Sequence, residues 1–301
     1  MIFNMVGAAG GVKFLPQYDG YWNLVLGKDG KSGYAEFYSS GTLTWRDDKI
    51  PPTVDVTCIG AGGGGGHGRG NGSGIHYCGG AGGAGGFVVS EYGLEIGTSV
   101  FITIGARGLG SKSDRNPGTD GGTTSFGSHC TAAGGTCGIT TQTESLKYKV
   151  TAGSGGNAGG IGAVYNGSVK NGANGCSNGE SPAASGDANQ VVGTSQGTPT
   201  VDILGRKHAG GGAGGSNSTS IQYLGGASDY DKHSGLDGTT STASGLTTKG
   251  NAGTGGEGAG GGGGGGGVAW VSGTHLYTPG GDGGDGLVVM GWGDYLSIIG
   301  G

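Results

Sequence analysis

Hydrophobic positions along this chain come in short bursts separated by glycine, and no stretch keeps a 3.6-residue period. Tyr21 to Leu26 (YWNLVL), Gly33 to Tyr38 (GYAEFY) and Thr42 to Trp45 (TLTW) are aromatic and β-branched runs divided by Gly-Lys-Asp-Gly and Ser-Ser-Gly turn signals. That pattern predicts a small β-meander. Val54 to Ile59, Phe87 to Ser90, Ser99 to Ile104, Thr123 to Ala132 and Leu287 to Trp292 continue the strand pattern. Helix is expected to be almost absent.

What lies between the bursts is glycine. Gly260 to Gly267 is unbroken, and Gly60 to Gly66, Gly79 to Gly86, Gly153 to Gly162, Gly210 to Gly215 and Gly280 to Gly286 are shorter runs of the same kind. Such runs have no side chains to bury, and ordering them costs more backbone entropy than ordering any other residue. Each N–H and C=O must therefore find a partner in another segment. The arrangement that allows this is a bundle of polyproline-II-like helices with three residues per turn, in which only glycine lets the backbones approach on every side. Ala81 with Ala84, and Asp282 with Asp285, interrupt two runs at that three-residue interval, so each pair would project from one edge of its helix. Gly62, Gly63, Gly82, Gly85, Gly211, Gly263 and Gly264 are the expected bundle-forming positions. Solvated linkers are the competing reading, but linkers carry more Ser, Pro and charge.

Strands come first, glycine segments are inserted between them, and a strand closes the chain. The expected fold is therefore all-β, with β-sandwich-like strands and inserted glycine-rich segments forming a polyglycine-II helix bundle. Residues 1–50 read as an N-terminal β attachment region and 51–135 as a β-sandwich with the first glycine runs. Residues 136–301 read as a glycine-rich bundle with variable loops and the closing strand 287–292.

Composition sharpens this picture in three ways. Glycine is 83 of 301 residues, while the formal charge is only −5. That charge is too small for the disorder that so few large apolar residues would otherwise suggest. Arginine is scarce beside the glycine runs and the net balance is acidic, so nucleic-acid binding is not expected. No stretch approaches a membrane span of about 20 apolar residues, and the first residues lack a basic segment leading into a long apolar one. Neither membrane insertion nor a secretion signal is expected. The 5 cysteines form no CxxC pair and leave one over, which predicts reduced, structural thiols, with Cys58 and Cys130 buried.

Two motifs invite a catalytic reading. Val54 to Gly65 runs from a strand into G-x-G-x-x-G, but the residues that follow cannot open the helix a dinucleotide site needs. Gly193 to Gly197 matches G-x-S-x-G but meets Pro199 instead of a helix. The His76–Cys78 pair is too small for a metal site, and the acidic residues are too dispersed to nominate a glycosidase pair. The chain is expected to be no enzyme, with no cofactor and no metal.

The opening MIFNM, the YAEFYSSGTLTW segment leading into VDVTCIGAGGGGG, FITIGARG and GGTTSFGSHCTAAGG resemble, in motif order over residues 1–135, the glycine-rich tail proteins of bacteriophages. The chain also looks like tail-fibre adhesins whose tips are polyglycine-II bundles; beyond residue 135 it is similar only in style. The resemblance implies a virion tail or fibre component, made in the host cytoplasm. It implies partners among other virion subunits in an oligomeric assembly, and a host surface protein or glycan bound by loops at the end of the bundle. A purely structural virion spacer is the alternative. Tyrosine and tryptophan supply large contact area at low entropic cost, so the candidate receptor-binding residues are loop aromatics and their polar neighbours. Tyr223, Asp229, Tyr230, Asp231 and His233 form the first choice. Trp270, His275 and Tyr277 come second, with Tyr165 alongside.

Overall fold

The computed structural model describes residues 2–5, 13–70, 76–113, 115–143, 147–185, 187–216, 223–226, 237 and 276–299. In chain order the strands are β1 (Ile2–Met5), β2 (Pro16–Tyr18), β3 (Trp22–Leu26), β4 (Gly33–Phe37), β5 (Gly41–Trp45), β6 (Val54–Ile59), β7 (Gly68–Gly70), β8 (His76–Cys78), β9 (Val88–Leu94) and β10 (Ser99–Thr103). They continue with β11 (Thr124–Phe126), β12 (Cys130–Ala132), β13 (Ile139–Gln142), β14 (Tyr148–Thr151), β15 (Val164–Asn166), β16 (Val169–Lys170), β17 (Gln190–Val191), β18 (Leu276–Thr278) and β19 (Leu287–Trp292). One helical turn follows, α1 (Leu296–Ile299). The fold is all-β, as the burst pattern predicts.

Alternation puts the core between two sheets. A six-stranded sheet, β1-β3-β4-β19-β6-β9, lies against a five-stranded one, β12-β11-β10-β5-β2. Trp22, Leu24, Leu26 and Phe37 from the first meet Leu43, Trp45, Ile102 and Phe126 from the second in one buried cluster. Closing strand β19 is buried on both faces. Val288, Met290 and Trp292 enter the inter-sheet core, while Leu287 and Val289 pack outward under Ile203 and Tyr295. Two-sided burial explains why LVVMGW reads as a continuous apolar run instead of an alternating one.

Two sequence expectations need correction. The first strands do not form a meander: β4 pairs with β3 and β19, whereas β5 crosses to the other sheet and pairs with β2 and β10. Thr123 to Ala132 is not one strand either. Gly127, with φ +53°, turns the chain so that β11 and β12 pair antiparallel, a reversal open to glycine at little steric cost.

Six strands of the sandwich continue into glycine at the same end. β6 runs on into 60–66, β10 into 105–111 and β12 into 133–138, while 79–86, 119–122 and 279–286 lead into β9, β11 and β19. These segments lie outside the β-ladders, yet their amides are bonded in rotation. Gly60, Gly63 and Gly66 donate to Phe87, Ala84 and Ala81; Ala61 and Gly64 donate to Gly122 and Thr119; Gly62 and Gly65 donate to Gly284 and Gly281. Gly108 and Ser111 donate back to Gly62 and Gly65, and Gly135 and Gly138 to Ala61 and Gly64. Successive residues thus face different neighbours, and the same neighbour returns every third residue. Where glycine fills the space between segments, nothing larger fits: a β-carbon on Gly63, Gly82 or Gly211 would overlap the carbonyl oxygen of Thr136, Gly212 or Ala158.

The far ends of these segments carry a second β region. It consists of a sheet ordered β16-β15-β8-β7-β18 and a smaller one ordered β13-β14-β17, which share a cluster of Cys78, Ala81, Tyr148, Val150, Ile161 and Val164.

Candidate functional site

The far β region gathers most of the described candidates. In its larger sheet, paired residues fall into rows that point to alternate faces. One row, Lys170–Val164–Cys78–Arg69–Tyr277, turns inward. Val164, Cys78 and Arg69 are buried, and the Arg69 guanidinium lies over the rings of Tyr148 and Tyr277 at 5.3 and 5.4 Å. Tyr277 also meets the buried His67 ring edge-on at 5.4 Å, and His67 Nδ1 shares a hydrogen bond with Ser111 Oγ at 2.7 Å. Tyr277, a candidate contact residue, is therefore half-buried and held in packing.

The alternate row, Val169–Tyr165–Tyr77–Gly70–Leu276, lies on the other face. Tyr165 and Tyr77 stack at 4.9 Å with 17° between their planes, and Val169 is 61% exposed. Tyr165, a sequence candidate, is half-buried in this stack. Its partner Tyr77 was missed, because the short strands β8 and β15 are far apart in sequence and each carries too few residues for a period-two signal.

Tyr223 is corrected. Expected in a displayed loop, it is buried, its hydroxyl accepting the Gly172 N–H at 2.8 Å and its ring lying against Gly172. Asp229, Tyr230, Asp231, His233, Trp270 and His275 lie outside the described residues, as do Gly263 and Gly264. Gly62, Gly63, Gly82, Gly85 and Gly211 all stand in the bonded glycine segments, with Gly82 and Gly85 donating to Gly160 and Asn157 and Gly211 to Cys176.

Side chains complete the lattice at its margins. Asp282 and Asp285, three residues apart, face one neighbour: Asp282 accepts the Gly110 N–H at 2.7 Å, and Asp285 accepts the Arg107 N–H at 3.0 Å and pairs with the Arg107 guanidinium. Burial pushes the Asp285 carboxyl up, but the Arg107 hydrogen bonds and charge outweigh it and hold the group below the ordinary carboxylate range. Thr119, Thr136, Ser154 and Ser195 oxygens accept other amides in the same way.

A charged clasp that sequence reading also missed fixes 200–208 to the outer face of the sandwich. Arg206 Nε bonds Asp202 Oδ2 at 2.7 Å, the guanidinium also pairs with Glu36 on β4, and His208 Nε2 meets Asp202 Oδ2 at 2.8 Å. Tyr38 donates to Glu36 at 2.7 Å, and Ile203 N–H reaches Thr57 Oγ1 at 2.9 Å. Desolvation raises Glu36 and Asp202, yet Arg206 and Tyr38 bring Glu36 below its ordinary value, and His208, then Arg206, does the same for Asp202. Glu36, Asp202, Arg206 and His208 bond one another across the clasp, which ties 200–208 to β4. The thiols are likewise inward: Cys58, Cys78, Cys130 and Cys176 are buried and all five cysteines are free. Burial, with Asp120 nearby, pushes Cys137 up to about 11. Among the described residues no group of His, Cys, Asp and Glu could hold a metal ion.

A family model for a glycine-rich domain matches residues 38–293, which takes in the sandwich strands from β5 on, the glycine segments and the far β region. The chain belongs to the glycine-rich domain family. No curated protein matches its sequence. The matched span runs from the end of β4 to just beyond β19, so the glycine-rich domain includes the strands that anchor the glycine segments as well as the segments themselves.

Proposed function

We propose that this glycine-rich domain is part of a bacteriophage tail or fibre tip, attaching the particle to a host surface through residues displayed at the far end of a rigid polyglycine-II bundle. One observation carries the reading. Six strands of a sandwich continue at one end into glycine segments whose amides bond in three-residue rotation, and the segments end in a second β region. A three-residue repeat of bonding direction is what polyproline-II-like helices require, and at about 3.1 Å per residue Gly60 to Gly66 spans about 20 Å. A rod bonded to neighbours in several directions resists bending, so contacts made at its tip are positioned by the sandwich at its base. Rigid scaffolds commonly carry recognition on exposed terminal elements, and the resemblance of residues 1–135 to phage glycine-rich tail proteins supplies the context.

Labelled full-length chain tests this against a panel of bacterial strains. Saturable attachment to particular strains, blocking infection by a phage that carries the protein, is the expected result. No attachment to any strain, with the protein distributed along the particle, would replace this reading with that of a structural spacer.

A further inference from the structure

We infer that Cys58 and Cys130 form a site of covalent modification, a thiol pair that peroxide oxidises to a disulfide across the two sheets of the sandwich. Cys58 stands on β6 of the six-stranded sheet, and Cys130 opens β12 of the five-stranded one, 72 residues further on. Both side chains are buried in the core between the sheets. Their contacts are reciprocal. Cys58 Sγ donates to the Cys130 carbonyl at 3.5 Å, and Cys130 Sγ donates at 3.4 Å to the carbonyl of Val89, the residue opposite Cys58 in the β6–β9 ladder. The two thiols also lie within hydrogen-bonding reach of each other, which is the approach from which a disulfide bond starts. Cys137 and Cys176, by contrast, lie beside Asp120 and Ser195.

Cys130 is placed to react first. β12 is a three-residue strand at the edge of its sheet, and the turn before it, 127–129, is exposed, so a small oxidant meets this part of the core after a minor local opening. The hydrogen bond from Cys58 holds the Cys130 thiol below its ordinary range against the cost of burial, while the same bond, with burial, pushes Cys58 up. The thiolate is the nucleophile. Cys130 sulfur attacks one oxygen of hydrogen peroxide and the O–O bond breaks. The departing hydroxide takes up the proton that Cys130 released, giving a sulfenic acid and one water. Cys58 sulfur then attacks the Cys130 sulfur, the S–O bond breaks, and hydroxide leaves with the Cys58 proton as a second water. The two thiols have together lost two electrons and two protons, and the peroxide has been reduced to water. Such a pair stays reduced where glutathione and thioredoxin act and closes outside that environment. The new bond would pin together the two sheets from which the glycine segments emerge, and the chemistry is the same in a tail tip or in a spacer.

The test treats full-length native protein with hydrogen peroxide and maps its peptides by mass spectrometry without reductant. Cys58 joined to Cys130 is the expected product. Cys58→Ala should stop the reaction at the sulfenic acid, so that dimedone labels Cys130, and Cys130→Ala should leave Cys58 a thiol; circular dichroism of the reduced variants checks their folding. Closing a loop of this length restricts the unfolded chain, so the urea midpoint of the oxidised protein should rise by about 1 M and fall back when dithiothreitol is added. Peroxide that oxidises Cys137 while Cys58 and Cys130 stay thiols would overturn the inference. A Cys58–Cys130 link that fails to raise the urea midpoint would overturn it as well, because the folded sandwich would then not hold the two residues in the geometry of the bond.

Discussion

A methyl group is enough to distinguish the two kinds of glycine in this molecule. On Gly63 a β-carbon would run into the Thr136 carbonyl, whereas around Gly97 nothing lies within 4 Å. Gly63→Ala should therefore cost about 1–3 kcal/mol through overpacking, and Gly97→Ala should be neutral or slightly stabilising. Urea unfolding of the two variants checks this, and equal midpoints would count against the packing argument. Ala81 and Ala84 show the same rule from the other side. Both methyls are fully buried at a three-residue interval, and Ala81 packs into the cluster under β14 and β15. The interval was legible in the sequence; which face of the segment could accept a methyl was not, since that depends on where distant carbonyls come to rest. Asp285→Ala is a further test at this scale. It removes the Arg107 pair and leaves the Arg107 amide without its acceptor, so a loss of about 1–2 kcal/mol is expected for this half-exposed pair, seen as a lower urea midpoint.

At the scale of elements, segment 200–208 shows what pattern reading cannot reach. Val54–Ile59 and Leu287–Trp292 were legible to the residue: the first is β-branched-rich between a Pro-Pro pair and a glycine run, the second an apolar run between glycines. Asp202, Arg206 and His208 carry no such signature: they lie among turn residues, and their partner Glu36 is far away in the chain. The clasp has a definite dependence on pH. Glu36 and Asp202 titrate below their ordinary values in the folded chain, so their stabilising contribution is complete above the unfolded carboxylate range, about pH 4. It is lost as pH falls through the depressed folded values. Chemical denaturation at pH 7 and pH 3 should show Arg206→Met destabilised by about 3 kcal/mol at pH 7, where a buried carboxylate pair loses its cation. The gap from the unmodified chain should narrow at pH 3, and a gap independent of pH would contradict this account of the clasp. Short strands β7, β8 and β13 to β18 were equally invisible in the sequence. With two to four residues each, they pair as short hairpins, β7 with β8, β13 with β14 and β15 with β16, and the hairpins are joined by pairings of distant strands such as β8 with β15 and β7 with β18.

For the whole molecule, the two β regions are joined by backbone. The glycine segments have almost no side chains with which to form a core, so their order depends on amides finding carbonyls in neighbouring segments. The repetition of glycine runs was enough to expect a bundle between strands, and the order of the pieces was enough to expect strands at its base. The second β region and the stacking of Tyr77 on Tyr165 were not foreseen, since they arise only once the lattice sets which chain ends meet. If backbone bonding holds the molecule together, the glycine amides should be among its most protected. Native-state hydrogen exchange resolved at Gly62, Gly63, Gly64 and Gly65 tests this most directly. The account predicts that all four exchange slowly, with opening energies close to that of global unfolding, because their acceptors lie in three separate segments. Exchange of these amides at the rates of an unstructured chain would contradict it.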